Sequence, residues 1–356
     1  MRVFMSLMAC LCIVTVANAQ DKRLFYMTTP DAAQGGGSGD GVMIFDIDHD
    51  HQFVRRIDIP SCKEGVRGVN ACAATGRLYI TTSAHRLICL DLKTDKVLWE
   101  KTYDTGCDRG AITPDGRVLY VPSGWWIHDQ CWLVVSGETG EEIAPRIKVN
   151  GASHNTIVSL DGTRAYLAST TAITIVNTKD HSVLQTISPI GESGVFPFTV
   201  NGAKTRAYVC LGKTVGVDVA DLTSGKVIGR VLTDGEPIKH RTHGAGLTPD
   251  EKELWISDQD GNAVYVFDNT LWPPKQVGKI SIKKGGHGWV AFSVDGHYAY
   301  TASTEIIDAK ARKLIGVFKD ENGKPVCSSK FVEVQFKDGQ VVRAGDQFGV
   351  GRVKGE

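Results

Sequence analysis

The chain has 356 residues, of which 42% are hydrophobic and 22% charged. That is enough apolar material for a large core, which excludes wholesale disorder. Its 40 basic residues balance its 40 acidic ones, and a neutral chain argues against nucleic acid, which selects strongly basic faces.

Met1 and Arg2 precede an apolar run, Val3–Ala17, and Ala17-Asn18-Ala19 fits the small-residue cleavage pattern of a signal peptide. Residues 1–19 are therefore expected to be removed, with the cut near Ala19/Gln20, leaving a periplasmic or secreted protein. No later apolar stretch reaches the ~18 residues that a spanning helix needs, so no membrane span is expected. Residues 20–356 are expected to form one domain and to act as a monomer. Of nine cysteines, Cys10 and Cys12 fall in the leader, and seven remain. An exported protein permits disulfides, but an odd count leaves at least one thiol unpaired. No C-x-x-C pair is present.

From residue 67 onward the chain repeats itself. Successive units read RGVNACAATGRLYITTS (67–83), RGAITPDGRVLYVPS (109–123), HNTIVSLDGTRAYLAS (154–169), PFTVNGAKTRAYVC (197–210), HGAGLTPDEKELWISD (243–258) and HGWVAFSVDGHYAYTAS (287–303). A weaker copy, KFVEVQFKDGQVVRAGD, covers 330–346. A spacing of about 40–47 residues is that of a propeller blade. Each unit gives a small-residue strand, an Asp-Gly type turn and an alternating strand rich in Tyr, Val and Ile. Two further strands follow, such as RLICLDL and KVLWEKT. Turns of this kind need positive φ, which makes them hairpin signals with a mechanism.

The unit resembles the YVTN-type β-propeller repeat, LTPDEKELWISDQDGNAVYVFD (247–268) most closely. That resemblance implies an all-β, seven-bladed β-propeller of four-stranded antiparallel blades. The N-terminal strands RLFYMTT, GVMIFDI and FVRRIDI would join KFVEVQF at the C-terminus to close the ring, removing exposed sheet edges. This count leaves VVRAGDQF over as a fifth strand. Either it or one N-terminal strand pairs outside the pattern.

Residues just before the innermost strands face the mouth of the central channel. Around the ring that position holds Arg67, Arg109, His154, Phe196 or Phe198, His243, His287 and Lys330. Imidazoles from three separate blades suit a divalent or transition metal ion, Mn, Zn, Fe or Cu, so His154, His243 and His287 are the candidate ligands. Scarce carboxylates at these positions disfavour calcium. Arg67 and Arg109 fit as anchors for an anion, and His240 as a general base. Each histidine also has a plainer role available, bonding neighbouring backbone to lock blades together.

The loop SGWWIHDQCW (123–132) adds Trp125, Trp126 and His128 to the same face, where the tryptophans would stack on a sugar or aromatic group or fill a gap between blades. Lys330 joins them as a substrate-binding candidate. The loop TTPDAAQGGGSGDG (28–41) suits either a mobile lid or plain surface. Cys107 and Cys131 would sit close enough for a disulfide pinning the tryptophan loop, and Cys62 with Cys327 for one stapling the closure, if their Cα atoms lie within about 7 Å. No nucleophile elbow or P-loop is present.

Two functions follow. One is an exported enzyme, a lyase or lactonase resembling propeller enzymes in layout, that uses the His/Arg face on a small anionic molecule or saccharide. The other is a non-enzymatic binding propeller gripping a ligand or protein with that face. A haem- or quinone-associated subunit is a weaker third, since no C-x-x-C-H is present.

Overall fold

The computed structural model describes residues 21–33, 39–192, 197–283, 288–303 and 305–354. The expected leader, His287 and Phe196 lie outside the described residues, as does 34–38 of the glycine-rich loop. Among the described residues no helix is long and apolar enough to cross a membrane.

Seven antiparallel sheets stand as blades around a channel. Their innermost strands are Val66–Cys72, Ala111–Ile112, Asn155–Val158, Phe198–Val200, Thr242–Leu247, Val290–Phe292 and Phe331–Lys337. Burial explains the sequence pattern of each blade. Middle strands such as Leu87–Leu90 and Val264–Phe267 are covered on both faces by neighbouring blades and are apolar at every position. The outermost strands, such as Val97–Thr102, alternate because one face meets solvent.

The hairpin turns repeat one piece of chemistry. Thr113, Ser159, Thr248 and Ser293 each donate a hydroxyl to the aspartate two residues on, at 2.6, 2.7, 2.7 and 2.6 Å. The next residue turns through positive φ: Gly116 at 74°, Gly162 at 72° and Gly296 at 76°. Blade 5 accomplishes this turn with Glu251, at 60°. The Ser/Thr-x-Asp spacing is thus a side-chain clasp that fixes the hairpin register.

Closure runs as expected through Lys22–Thr29, which pairs with Phe331–Lys337 on one side and Gly41–Asp46 on the other. The leftover strand is now placed. Gln340–Ala344 pairs with Phe331–Lys337 on its free side, so this sheet has five strands rather than four. The three N-terminal strands keep the regular outer positions.

Beyond Ala344 the chain turns into the channel. Asp346 accepts hydrogen bonds from the backbone of Phe348 and Val350 at 2.9 and 3.0 Å, shaping the turn, while its other oxygen pairs with Arg352 at 3.0 Å. The Gly349 carbonyl accepts Leu247 N at 2.8 Å and Thr199 Oγ1 at 2.7 Å, and Gly351 N donates to Val200 at 2.9 Å. The tail is therefore stitched to the inner strands of blades 4 and 5. Gly349, at φ 57°, lies so close that an added Cβ would sit 2.6 Å from Gly246 Cα and 2.7 Å from the Val290 carbonyl. Only glycine fits there.

The structure joins none of the seven described cysteines in a disulfide. Cys107 is fully buried among Cys72, Cys89, Leu119 and Leu133, part of the apolar seam between blades 1 and 2. Gln130 performs the fastening that a Cys107–Cys131 bond would have supplied. Its side chain donates to the Gly124 and Ile127 carbonyls and accepts Ser153 N at 2.5 Å. Cys62 packs in the seam of blades 7 and 1, and Cys327 Sγ lies 3.3 Å from the Ala302 carbonyl. Burial also pushes the Cys62 and Cys89 thiols up to about 12, away from the reactive thiolate. Thiol titration of a chain beginning at Gln20, without reductant, should therefore count all seven after unfolding, with Cys327, the least buried, reacting first in the native state. A lower total would mean that a bridge forms.

Candidate ligand site at the channel mouth

Trp289 is the centre of the site. It precedes the inner strand of blade 6, is 1% exposed, and gathers side chains from four other blades. The Arg109 guanidinium lies over its ring at 4.1 Å and Lys330 Nζ at 5.6 Å. The His243 ring meets it edge-on at 5.9 Å, and the His154 ring is tilted at 6.4 Å. Repeat position thus brought Arg109, His154, His243 and Lys330 to one ring, as read from the sequence. The residue that joins them was missed, because His287-Gly288 aligned with His243-Gly244 and drew attention two positions too early.

Each cation in the cluster has a defined partner. Arg109 Nη1 donates to Asp108 Oδ1 at 3.3 Å and to His154 Nε2 at 3.3 Å. His154 Nδ1 bonds Asp108 Oδ2. An imidazole that accepts a guanidinium N–H at Nε2 must carry its proton on Nδ1, so His154 is the neutral Nδ1–H tautomer. Burial lowers its pKa, and the Arg109 charge lowers it further, against the pull of Asp108. Burial would raise the Asp108 carboxyl, but His154 and the Arg109 charge hold it below its ordinary value.

Lys330 Nζ bonds Asp31 Oδ2 at 3.1 Å and also Ser329 Oγ, with both charged groups fully buried. Asp31 additionally accepts Ser329 N, Ser329 Oγ and Ala33 N, each at 2.7 Å. Burial and the nearby Arg109 charge bring Lys330 down to about 7. Burial would raise Asp31, but the Lys330 charge together with the hydrogen bonds from Ser329 and Ala33 holds it well below its ordinary value. Asp31 and Asp108 were not foreseen. Asp31 follows the closing strand Lys22–Thr29, outside the repeat, and Asp108 stands one position before the residue that repeat alignment selects.

Arg109 is not fully satisfied by these partners. Its Nε and Nη2 are buried without a hydrogen-bond partner among the described residues, and so is Trp289 Nε1. Buried polar groups are almost always paired, and a buried donor left empty costs about 1–3 kcal/mol.

The remaining candidates lie around this centre. Arg67 donates Nε to Ser83 Oγ at 2.8 Å and covers the Trp126 ring at 4.0 Å, occupying one face of that indole. Trp125 is 55% exposed and stands edge-on to Trp126 at 5.8 Å. His128 is exposed on the same loop. His240 is not in the Trp289 cluster: its Nδ1 meets both oxygens of Asp258 at 3.1 Å. Asp258 is itself buried and accepts Asp260 N and Gly261 N at 3.1 and 2.7 Å. The pair makes an aspartate-oriented imidazole with Nε2 turned away from the carboxylate. Among the described residues no three His, Cys, Asp or Glu side chains are placed to hold a metal ion.

No family model and no curated protein matches the chain. A solved structure titled Kuenenia stuttgartiensis Hydrazine Synthase aligns with 72% of this chain and 96% of its own, at 18% identity and a TM-score of 0.45. A likeness at that level carries no functional argument.

Proposed function

We propose that the chain binds a small carboxylate or similar anion at the channel mouth, against Trp289. The observation that supports it most is the buried edge of Arg109, whose Nε–H and Nη2–H meet no acceptor among the described residues. Two N–H groups on one edge of a guanidinium match the two oxygens of a carboxylate. Lys330 adds a second positive charge whenever it is protonated. Because its pKa sits at about 7, affinity for an anion should fall as the pH rises through that value.

A metal on His154, His243 and His287, the other occupant considered, requires His154 Nε2 to exchange its Arg109 N–H for the ion. The anion requires no such exchange, and we prefer it. The enzyme reading, a lactone hydrolase or lyase of an exported protein, draws on a different observation. His240 held by Asp258 has the arrangement of a general base, and an Arg/Lys pair suits developing negative charge on a carbonyl oxygen.

Titration of the ¹⁵N-labelled protein with acetate at about pH 6.5 tests the binding. The Trp289 indole N–H signal, assigned through Trp289→Phe, should shift saturably. An indole that stays in place at tens of millimolar acetate, with chloride as the control, would overturn the proposal.

A further inference from the structure

The tail that enters the channel carries a buried polar side chain whose hydrogen-bonding groups are empty among the described residues. Gln347, in the tail that enters the channel, is 1% exposed, and both Nε2 and Oε1 lack a hydrogen-bond partner among the described residues. Its neighbours in the turn are all engaged. Asp346 caps the turn, and Phe348 places its ring against Trp289 at 5.5 Å. Phe348 and Val350 also line a cavity on the far side of the tail, with Val69, Ala111, Ile157 and Val332, a lining to which Gln347 does not contribute. Ring contacts run from Arg109 to Trp289 and on to Phe348, the residue after Gln347. The tail thus carries the unpaired Gln347 amide one residue from a contact with the cluster that holds further empty buried groups, Arg109 Nε and Nη2 and Trp289 Nε1.

We infer that the C-terminal tail completes the site from below, and that Gln347 binds a hydroxyl group next to the ligand's carboxylate. This rests on the anion reading and narrows it to 2-hydroxy acids. The chemistry follows from the donor count. The Arg109 edge supplies two donors and suits the carboxylate. A primary amide both donates and accepts, and so does an alcohol; a hydroxyl beside the carboxylate would satisfy Nε2 or Oε1 where a methyl group satisfies neither. Buried amides left unpaired by an analogue lacking the hydroxyl make such a site selective.

The test compares glycolate with acetate, which differ by that hydroxyl, on the full chain. Wild type should bind glycolate about tenfold more tightly than acetate. Gln347→Leu should lose that preference and hold both at the acetate level, and Gln347→Met, of similar volume, serves if the leucine variant misfolds. An unchanged glycolate preference in either folded variant overturns the role of Gln347. Equal binding of the two acids by wild type overturns the 2-hydroxy acid while leaving the anion site standing, and ordered water is then the occupant of the amide. Failure of wild type to bind either acid removes the underlying reading and this one with it.

Discussion

Arg109→Gln should weaken acetate or glycolate binding by about 100-fold or more, since hydrogen bonds to a charged group contribute about 1.5–3 kcal/mol each and two are lost. Arg109→Lys separates charge from shape. Lysine retains the positive charge and a stem that reaches over Trp289, but it cannot present two parallel N–H groups. A loss of about tenfold is expected for it, close to 1.4 kcal/mol. Near-wild-type affinity in the lysine variant would mean that the site senses charge alone, and that the unpartnered edge of Arg109 is incidental. The same variants have a second readout at His154. Arg109 lowers the His154 pKa by its charge and donates to Nε2. Its replacement by glutamine should let that pKa rise, which the imidazole signals report directly. The variants also discriminate between occupants. Zinc held through His154 should bind better once Arg109 has vacated Nε2, whereas a carboxylate should bind worse.

The ring was legible because a repeat exposes positions as well as strands. Seven copies of one pattern placed Arg109, His154, His243 and Lys330 at equivalent points of the blades, and the fold brings all four to Trp289. What the repeat could not convey is which groups those residues meet. Asp31 lies two residues past the end of the closing strand, and its partner Lys330 is 299 residues away. Gln347 and Phe348 belong to no blade at all. Their place in the channel follows from Gly349, whose fit against Gly246 allows the tail in. The fifth strand was visible as a surplus, yet choosing which strand was extra required the pairing of Phe331–Lys337 on both of its edges. His240 shows the opposite limit. Nearness in sequence to His243 suggested a working neighbour, but His240 stands before the strand Thr242–Leu247 that carries His243, and the two rings meet different partners, Asp258 and Trp289.

Asp31→Asn should destabilise the fold by about 3–5 kcal/mol near pH 6, because it leaves the buried Lys330 ammonium without its counter-charge. Ser329 donates to Oδ2 and Ala33 N to Oδ1, so the single amide oxygen can keep only one of these sets, and the loss combines the missing charge with at least one broken hydrogen bond. The pH dependence identifies the cause. Asp31 has its folded pKa below the ordinary value of 3.8, so its contribution is present above that pH and is lost on acidification. Lys330 is also depressed, from 10.5 to about 7, so between those values the unfolded chain holds more protons and wild-type stability rises with pH. Near pH 9 the folded protein carries Lys330 neutral, with or without Asp31. The cost of Asp31→Asn should then shrink to the weakened hydrogen bonds, about 1–3 kcal/mol. Denaturant unfolding at the two pH values measures the difference. The double variant Asp31→Asn/Lys330→Met removes both charges and should recover most of the loss near pH 6. Equal costs at both pH values, or a double variant no better than the single, would show that Asp31 acts through packing rather than as the counter-ion of Lys330. The anion site would then have to hold its second cation without the carboxylate assigned to it here.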